Sequence, residues 1–310
     1  MIKHKLAIII ILFILFPLCS GLAIAYPTAK ITAKVLDENG SVLKGADVHI
    51  SFEIAKKGGW GTENFGVKGT SDSEGFFTGE AKASSRIGIT VRKDGYYFSR
   101  QLYEFTSKST LLNRWEPWNP TIEVVLKKKR NPVGMYMGGG IIQVPRFDEP
   151  VGYDLEKGDW VAPYGKGMTS DFVVTFHTVS RAYTDYECNF TLGFSNYGDG
   201  IQEYFFDDTD QSYFKWPFMA PESGYASQVY KEKSDNPKDN FRTNEKKNVR
   251  YIYRVRTKKD ANGNIVKAMY GKISQEFEFG PNGTILFHYY FNPDGTRNLE
   301  EDPKNNLFKK

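Results

Sequence analysis

The sequence predicts an all-β protein, with an N-terminal seven-stranded antiparallel β-sandwich followed by a second, larger and mostly antiparallel β domain. Apolar and polar residues alternate along short segments between residues 31 and 126, which is the two-residue period of strands with one buried face. Turn signals that contain Gly40, Gly75 and Gly95 separate these segments, as in hairpins and sheet corners. No window of the chain shows a sustained helical period.

The strands of the first half follow from this alternation and from the spacing of the turns. They are predicted at residues 31–36, 46–52, 76–81, 87–93, 97–105 and 121–126. Residues 56–69 are rich in glycine and lysine and are predicted to form a mobile excursion from the sandwich. Gly40 and Gly75 are expected at turn positions where a Cβ atom would be unfavourable.

Three turn motifs stand out in this half of the chain. They are Asp37-x-x-Gly40-x-x-Leu43-x-Gly45-Ala46, Ser71-Asp72-x-x-Gly75-Phe76 and Lys93-x-Gly95-Tyr96. Over residues 28–128 the chain thereby resembles the carboxypeptidase regulatory-like domain, a module with a transthyretin-like (prealbumin-like) fold. It departs from the family pattern at the glycine-rich insertion 57–66 and at residues 115–118. Such domains support or display another part of a protein and lack catalytic residues, so the resemblance implies an accessory role and no peptidase activity.

The rest of the chain is predicted to be a linker at residues 129–134 and a second β-rich domain, of no recognised family, at residues 135–310. Its first half is dense in loops, although residues 172–179 and 187–196 have the alternation of strands. Two hairpins are predicted further on. Their strands are residues 249–257 with 265–273, and residues 274–279 with 284–291, around turns at 260–264 and 280–283.

The N-terminus predicts export. Two lysines precede an apolar run at residues 6–18, and Ala-Ile-Ala at residues 23–25 matches the small-x-small pattern of a signal-peptidase site. Residues 1–25 are therefore predicted to be a signal peptide, whose removal leaves no membrane span and a periplasmic or extracellular protein. An uncleaved N-terminal membrane anchor and lipid attachment at Cys19 are the alternatives.

The net charge argues against nucleic-acid and membrane-surface partners, and the cysteine content excludes an intrachain disulfide. The formal net charge is +4, from 41 basic and 37 acidic residues, so no nucleic-acid or membrane-surface partner is predicted. The local basic excess at residues 127–130 is interpreted as a solvated strand end. Cys188 is the one cysteine beyond the leader, so no intrachain disulfide can form, and it is interpreted as a small buried hydrophobic residue.

Catalytic residues and cofactors are not predicted. The histidines beyond the leader, which are His49, His177 and His288, all fall in predicted strands. The chain contains neither a zinc-type histidine spacing nor a Gly-x-Ser-x-Gly nucleophile elbow. A Ser–His–Asp triad stays open, because its members can be far apart in sequence.

One acidic segment is a weak candidate for a metal site. Asp207, Asp208 and Asp210 are closely spaced oxygen donors of the kind that calcium prefers. The segment lacks the glycine-punctuated loop of an EF-hand, and a solvated acidic loop is the alternative.

Aromatic residues on predicted loops give the binding hypothesis. Tyr213 and Trp216 follow the acidic segment, and Trp160 and Tyr164 lie in a glycine-rich loop. Flat rings on loops can stack on sugar faces or anchor a protein partner; the alternative is that they fill the second core. Trp115 and Trp118 are expected to pack between the two domains.

Two classes of function follow. The first is an exported, non-catalytic envelope or extracellular protein, a binding or structural module for a glycan or a protein partner. The alternative is a glycan-acting hydrolase with a β-rich catalytic domain. A solvent-exposed row of Trp160, Tyr164 and Trp216 would favour the binding module. A deep cleft with two converging carboxylates, one with a raised pKa, would favour the hydrolase.

Overall fold

The computed structural model describes residues 26–56, 61–207, 209–238 and 240–309. The predicted signal peptide, residues 1–25, lies outside this part of the chain. The predicted all-β class is confirmed, since strands and connecting turns make up nearly all of the described residues. No helix in those residues has the length and apolar character that a bilayer crossing requires.

The strands are numbered in chain order. The first half contains β1 (Thr28–Asp37), β2 (Asp47–Ala55), β3 (Thr62–Thr70), β4 (Phe76–Lys82), β5 (Arg86–Arg92), β6 (Ser99–Glu104), β7 (Ser107–Ser109), β8 (Arg114–Glu116) and β9 (Thr121–Leu126). The second half contains β10 (Val133–Gln143), β11 (Val151–Asp154), β12 (Asp159–Trp160), β13 (Phe172–Ala182), β14 (Asp185–Gly193), β15 (Gly200–Phe205), β16 (Gln228–Asp235), β17 (Arg242–Thr243), β18 (Val249–Lys259), β19 (Ile265–Ile273), β20 (Glu278–Phe279), β21 (Thr284–Asn292) and β22 (Glu301–Asn306). A short 3-10 helix, Leu307–Lys309, follows β22.

Two sheets enclose the hydrophobic core of the first half. One has the order β4–β1–β8–β7, with β9 also paired to β1, and the other has the order β3–β2–β5–β6. Ile31, Ile50, Ile89 and Val124 are fully buried in this core. Most pairs are antiparallel as predicted, but β9 runs parallel to β1. The outer face of the sheet β3–β2–β5–β6 carries one of the concave surfaces described below.

The glycine-rich stretch of the first half is largely a strand and not a mobile excursion. β3 pairs with β2 along its whole length, from Thr62 opposite Ala55 to Thr70 opposite Asp47. The prediction was wrong because β3 is an edge strand with side chains exposed on both faces, so it lacks the apolar alternation that marks a strand. Together with the short strands β7 and β8, it adds to the six strands located from the sequence, so this half has nine described strands where a seven-stranded sandwich was predicted.

The second half contains a seven-stranded and a six-stranded sheet. Their orders are β15–β18–β19–β21–β10–β22, with β20 paired to β21, and β12–β11–β13–β14–β16–β17. Aromatic rings dominate the core between them; the Phe172 and Tyr253 rings, for example, meet edge to face at 5.0 Å. The predicted hairpin of β18 and β19 is present, and its turn contains Gly263 with φ +84°.

A third hydrophobic cluster joins the two halves. It contains Tyr97 from the first half and, from the second, Phe214, Trp216, Ala220, Ile252, Ala268, Tyr270 and Leu299. The Tyr97 hydroxyl donates a hydrogen bond of 3.0 Å to the carboxylate of Glu300. The backbone N–H groups of Arg130 and Asn131 donate to the same carboxylate. The division of the chain at residues 129–134 stays a prediction.

The expected packing of Trp115 and Trp118 between the halves is wrong. Trp115 stacks on Phe105 at 6.2 Å, and its indole N–H donates to the Ala83 carbonyl oxygen, so it completes the first core. Trp118 lies under the guanidinium of Arg114, at 4.8 Å. Both rings pack within their own sandwich. The hydrophobic contact between the halves is made by Tyr97 and the cluster around it.

Candidate functional site

A loop of the second half extends a sheet of the first half. The backbone N–H of Arg100 donates to the Gln211 carbonyl oxygen at 3.0 Å, and that of Tyr213 donates to the Phe98 carbonyl oxygen at 2.9 Å. Ser99 and Ser212 form the β-bridge between these bonds. Residues 211–213 thus continue the sheet beyond its edge strand β6, and this docking gives the loop a fixed position.

Two of the predicted calcium ligands hold this loop in place. The Asp210 carboxylate forms a 2.5 Å ion pair with Lys127 and accepts the Ser212 backbone N–H at 2.9 Å. Asp207 accepts hydrogen bonds from the backbone N–H and the hydroxyl of Thr209, and these bonds lower the pKa of its carboxyl group. Asp208 lies outside the described residues, within which no group of three or more potential metal ligands occurs.

The four aromatic residues of the binding hypothesis do not form an exposed row. Trp160 and Trp216 are buried, and only Tyr164 and Tyr213 present their rings to solvent, with exposed fractions of 39% and 61%. Trp160 packs edge to face on Tyr153, and its indole N–H donates to the Gln143 carbonyl oxygen. Large rings bury favourably where a core can accept them, so Trp160 and Trp216 follow the alternative that these rings fill a core.

Trp216 belongs to the junction between the halves. Its ring stacks on Tyr204 at 5.6 Å and lies 5.1 Å from the buried ammonium group of Lys272. Lys272 also donates to the Glu301 carboxylate and to the Leu299 carbonyl oxygen. Trp216 therefore positions the loop that carries Tyr213 and offers no face to a ligand.

Tyr213 is the candidate residue that the structure places at a cleft. Its ring stacks on that of Phe98, with ring centres 4.7 Å apart and planes 28° apart. The guanidinium group of Arg92 lies over Phe98 at 4.7 Å. The sequence analysis missed Phe98 and Arg92; the only local signal for them was the run of three aromatic residues at positions 96–98.

The cleft beside this stack has a volume of about 720 Å³ and lies between the two halves. It is lined by the aromatic residues Tyr96, Tyr97, Phe98 and Tyr213, and by Asp47, Arg92, Lys93, Asp94, Gly95, Lys129, Pro132, Glu301, Asp302, Pro303 and Lys304. Four of the lining side chains are basic and four are acidic, so the cleft as a whole is balanced in charge.

Two further concave surfaces continue this cleft. One, of about 570 Å³, lies on the outer face of the sheet and shares Asp47 and Arg92 with it. The other, of about 660 Å³, lies on the far side of the aromatic stack and shares Phe98 and Tyr213 with it. The stacked rings thus form a ridge in an extended groove.

Asp171 is an acid with a raised pKa, because it is buried, and a substrate cannot reach it. Asp171 is 2% exposed, and Arg256 donates hydrogen bonds of 2.7 and 2.9 Å to its two carboxylate oxygens. Burial nevertheless holds the pKa of Asp171 above its ordinary value. Leu155 also donates its backbone N–H to this carboxylate. Asp171 is therefore a structural residue that holds Arg256 and Leu155 in the core of the second half.

The histidines do not assemble into one site. The His177 imidazole lies 2.5 Å from the Asp148 carboxylate, but both side chains are exposed and neither lines the cleft or its two extensions. His288 is opposite Gly139 on another sheet, and His49 belongs to β2 in the first half. The described residues thus bring no histidine together with the aromatic stack.

Neither a protein-family model nor a curated protein sequence matches the chain. The resemblance of residues 28–128 to the carboxypeptidase regulatory-like domain accordingly gains no support from a family model. What the coordinates establish for this region is the coarser statement that it forms a β-sandwich.

Several solved structures resemble the chain weakly. Hydroxyquinol 1,2-dioxygenase from Pseudomonas putida is 11% identical with a TM-score of 0.26, over 34% of this chain and 57% of that one. Shaft pilin SpaA from Lactobacillus rhamnosus GG is 11% identical with a TM-score of 0.24, over 89% and 99%. A putative carbohydrate binding protein from Bacteroides uniformis is 11% identical with a TM-score of 0.18, over 85% and 96%. Scores this low define no shared fold and assign no function to the chain.

Proposed function

We propose that the protein is an exported, non-catalytic binding module whose ligand is a saccharide held in the cleft beside Tyr213. The observation that carries the proposal is the exposed Tyr213 ring, stacked on Phe98 at the edge of a cleft between the two halves. The first half would serve as the carboxypeptidase regulatory-like accessory module that its turn motifs suggest, and residues 1–25 as the export signal.

The ring chemistry of the ridge suits a sugar. A pyranose presents a face of C–H groups that packs on a flat aromatic ring, and a tyrosine adds a hydroxyl that can hydrogen-bond to the ligand. Tyr213 and Phe98 already support each other, so the exposed ring needs little ordering when a ligand arrives.

The polar lining of the cleft fits a polyhydroxylated ligand. Sugar hydroxyl groups both donate and accept, and the cleft offers carboxylates such as Asp47 and Asp94 together with cations such as Lys129 and Lys304. Hydrogen bonds to ionised side chains are stronger than those between neutral groups. A volume of about 720 Å³ is also typical of a small-ligand site, which favours a saccharide over the broad surface of a protein partner.

The hydrolase alternative has less support. It needs two carboxyl groups that converge on a substrate, one of them with a raised pKa. Asp171 has the raised pKa, but Arg256 and the surrounding core enclose it. The cleft beside Tyr213 lies elsewhere and does not contain it.

The test is saccharide binding by the purified protein, measured on a panel of oligosaccharides by calorimetry. Tyr213→Ala should weaken binding about tenfold, since the loss of a stacked aromatic contact costs about 1–2 kcal/mol. Tyr183→Ala is the matched control, because Tyr183 is 96% exposed in the turn between β13 and β14. Unchanged binding by Tyr213→Ala would rule out this site. Release of shorter products from any oligosaccharide would establish the hydrolase instead.

A further inference from the structure

A row of side chains crosses the outer face of the sheet next to the cleft. His49 on β2 is the register partner of Lys68 on β3 and of Thr90 on β5. Thr90 is in turn the partner of Arg100 on β6. Directly opposed residues point to the same face, so Lys68, His49, Thr90 and Arg100 form one row across four strands. We call it the basic row.

The basic row faces outward. The neighbours of His49 along β2, Val48 and Ile50, are buried in the core, and Thr90 lies between the buried Ile89 and Val91. Alternation along a strand therefore directs His49 and Thr90 away from the core. Lys68 and Arg100 are exposed at the two ends of the row.

In the part of the chain that the structure describes, the cations of the basic row form no ion pair with the acids of this face, Asp47, Glu53 and Glu104, which lie in other rows. Within the described residues, neither Lys68, Arg92 nor Arg100 has a carboxylate within ion-pair distance; Arg92 instead lies over the Phe98 ring. Asp47 is the one acidic residue among those that line the adjoining concavity of about 570 Å³. The local excess of positive charge contrasts with the balanced cleft beside Tyr213.

Two glycines lie in the next row along the sheet, beside the basic row. Gly66 on β3 and Gly88 on β5 are both register partners of Ser51. A Cβ at Gly66 would lie 1.9 Å from Nε2 of His49, so the imidazole occupies the space that a larger residue would fill. The His49 imidazole thus covers Gly66, whereas a Cβ at Gly88 would make only ordinary contacts with Ser51 and Leu102.

We propose that the basic row binds anionic groups, carboxylate or sulfate, of the saccharide whose sugar ring stacks on Tyr213. This inference rests on the proposed function and names the class of saccharide, an acidic oligomer. Adjacent strands are about 4.8 Å apart, so Lys68 and Arg100 are separated by about 14 Å and can engage successive charged groups of an extended chain. Arg92 and Phe98 connect the row to the aromatic stack.

The experiment compares oligosaccharides of equal length that are neutral, carboxylated or sulfated. Calorimetry measures their affinity for the wild-type protein at two salt concentrations, and for the double variant Lys68→Gln/Arg100→Gln. We expect the acidic ligands to bind at least tenfold more tightly than the neutral one at low salt, and the double variant to lose most of that difference. Its affinity for the neutral ligand should not change. Lys267→Gln, at an exposed lysine of β19, is the control.

A second variant tests the row without removing a cation. Thr90→Glu would place a carboxylate at its centre and should abolish the preference for acidic ligands. The circular dichroism spectrum of each variant verifies that it folds. If acidic and neutral ligands bind equally to wild type, or if the double variant keeps the preference, the inference is wrong.

The outcomes separate this inference from the proposed function. If the neutral oligosaccharide binds in a way that depends on Tyr213, and acidic ligands bind no more tightly, the proposed function stands and the inference about the basic row is wrong. Binding of the acidic oligosaccharides that depends on Lys68 and Arg100 but not on Tyr213 would support the basic row and rule out the site at Tyr213. Equally tight binding of a single-stranded oligonucleotide or of anionic vesicles through Lys68 and Arg100 would assign the row to another macromolecule and contradict the saccharide.

Discussion

Tyr213 donates its backbone N–H to the carbonyl oxygen of Phe98 and stacks its ring on the Phe98 ring at 4.7 Å. One residue pair thus joins the two halves of the molecule through both main chain and side chain. The consequence is that the exposed Tyr213 ring belongs to the second half, while the sheet that its loop extends belongs to the first. Binding at this ridge therefore depends on the junction between the halves.

The ion pair of Lys127 and Asp210 should contribute to the stability of this junction. Its side chains are 25% and 18% exposed, and Lys127 also donates to the Phe214 carbonyl oxygen. Asp210→Asn keeps the oxygen that accepts the Ser212 N–H but leaves a partly buried ammonium group without its counter-ion. We expect the free energy of unfolding, from urea denaturation, to fall by about 1–2 kcal/mol.

Glu80→Gln is the control for this prediction. Glu80 pairs with Lys30 on the surface, where the side chains are 47% and 32% exposed, and such pairs contribute less than about 1 kcal/mol. Equal losses of stability for Asp210→Asn and Glu80→Gln would show that the docked loop does not depend on its ion pair.

Acid should weaken the second half through Asp154. Burial alone would raise the pKa of this carboxyl group, but backbone N–H groups of Met168, Thr169, Lys157 and Glu156 donate to it and hold its pKa below the ordinary value of 3.8. Because the unfolded state binds the proton more readily, the stabilisation is present above the ordinary pKa and is lost as the pH falls through the folded-state pKa.

Asp154→Asn should therefore lower the free energy of unfolding by about 2–4 kcal/mol at pH 7, since an amide cannot accept all four hydrogen bonds. Urea denaturation at pH 7 and pH 3 should show that the difference in the free energy of unfolding between variant and wild type is smaller at pH 3. Asp148→Asn, at an exposed side chain, should change stability little at either pH. If the difference in the free energy of unfolding between Asp154→Asn and wild type is the same at both pH values, the ionised carboxylate of Asp154 is not its cause.

The sequence predicts the parts of this fold that depend on local pattern. The turns at Gly40 and Gly75 have the expected positive φ, and the predicted strands 249–257 and 265–273 correspond to β18 and β19. Their signal lies in neighbouring residues, whose alternation and turn chemistry need no distant partner.

The sequence does not predict contacts between distant residues. Trp216 and Trp160 are buried because distant segments of the chain complete the hydrophobic clusters around them, and no local pattern distinguishes such a tryptophan from an exposed one. The pairing of Phe98 with Tyr213 and the basic row likewise depend on strand register and on the docking of the two halves.

Two glycines in one row of the sheet should respond differently to substitution. A Cβ at Gly66 would lie 1.9 Å from Nε2 of His49, whereas at Gly88 the nearest atom, Cβ of Ser51, is 3.7 Å away. Gly66→Ala should therefore displace the His49 ring and lower the free energy of unfolding by about 1 kcal/mol or more. Gly88→Ala is the matched control and should be neutral or slightly stabilising, because alanine restricts the unfolded chain. Thermal unfolding of both variants checks the contrast, and equal melting temperatures would contradict the close contact at Gly66.

His49 should make the binding of an acidic saccharide depend on pH. Burial, and then the charge of Lys68, lower the pKa of His49 below its ordinary value of 6.5, so the imidazole is neutral at pH 7 and gains a positive charge in more acidic solution. The other charged groups on this face are Lys68 from β3, Arg86 and Arg92 from β5, Arg100 and Glu104 from β6, and Asp47 and Glu53 on β2 itself. A sulfate ester stays charged throughout this range, and Asp47, which lines the same concavity as His49, is the control carboxylate.

The affinity for a sulfated oligosaccharide should therefore be higher at pH 5 than at pH 7.5, because protonation of His49 adds about 1 kcal/mol of attraction, or roughly fivefold in affinity. His49→Gln should remove this rise and leave the affinity at pH 7.5 nearly unchanged, because the wild-type imidazole is neutral there. Asp47→Asn should keep the rise, since His49 is still present. Calorimetric titrations at the two pH values measure all three proteins, and a rise that persists in His49→Gln would place the titrating group elsewhere on this face.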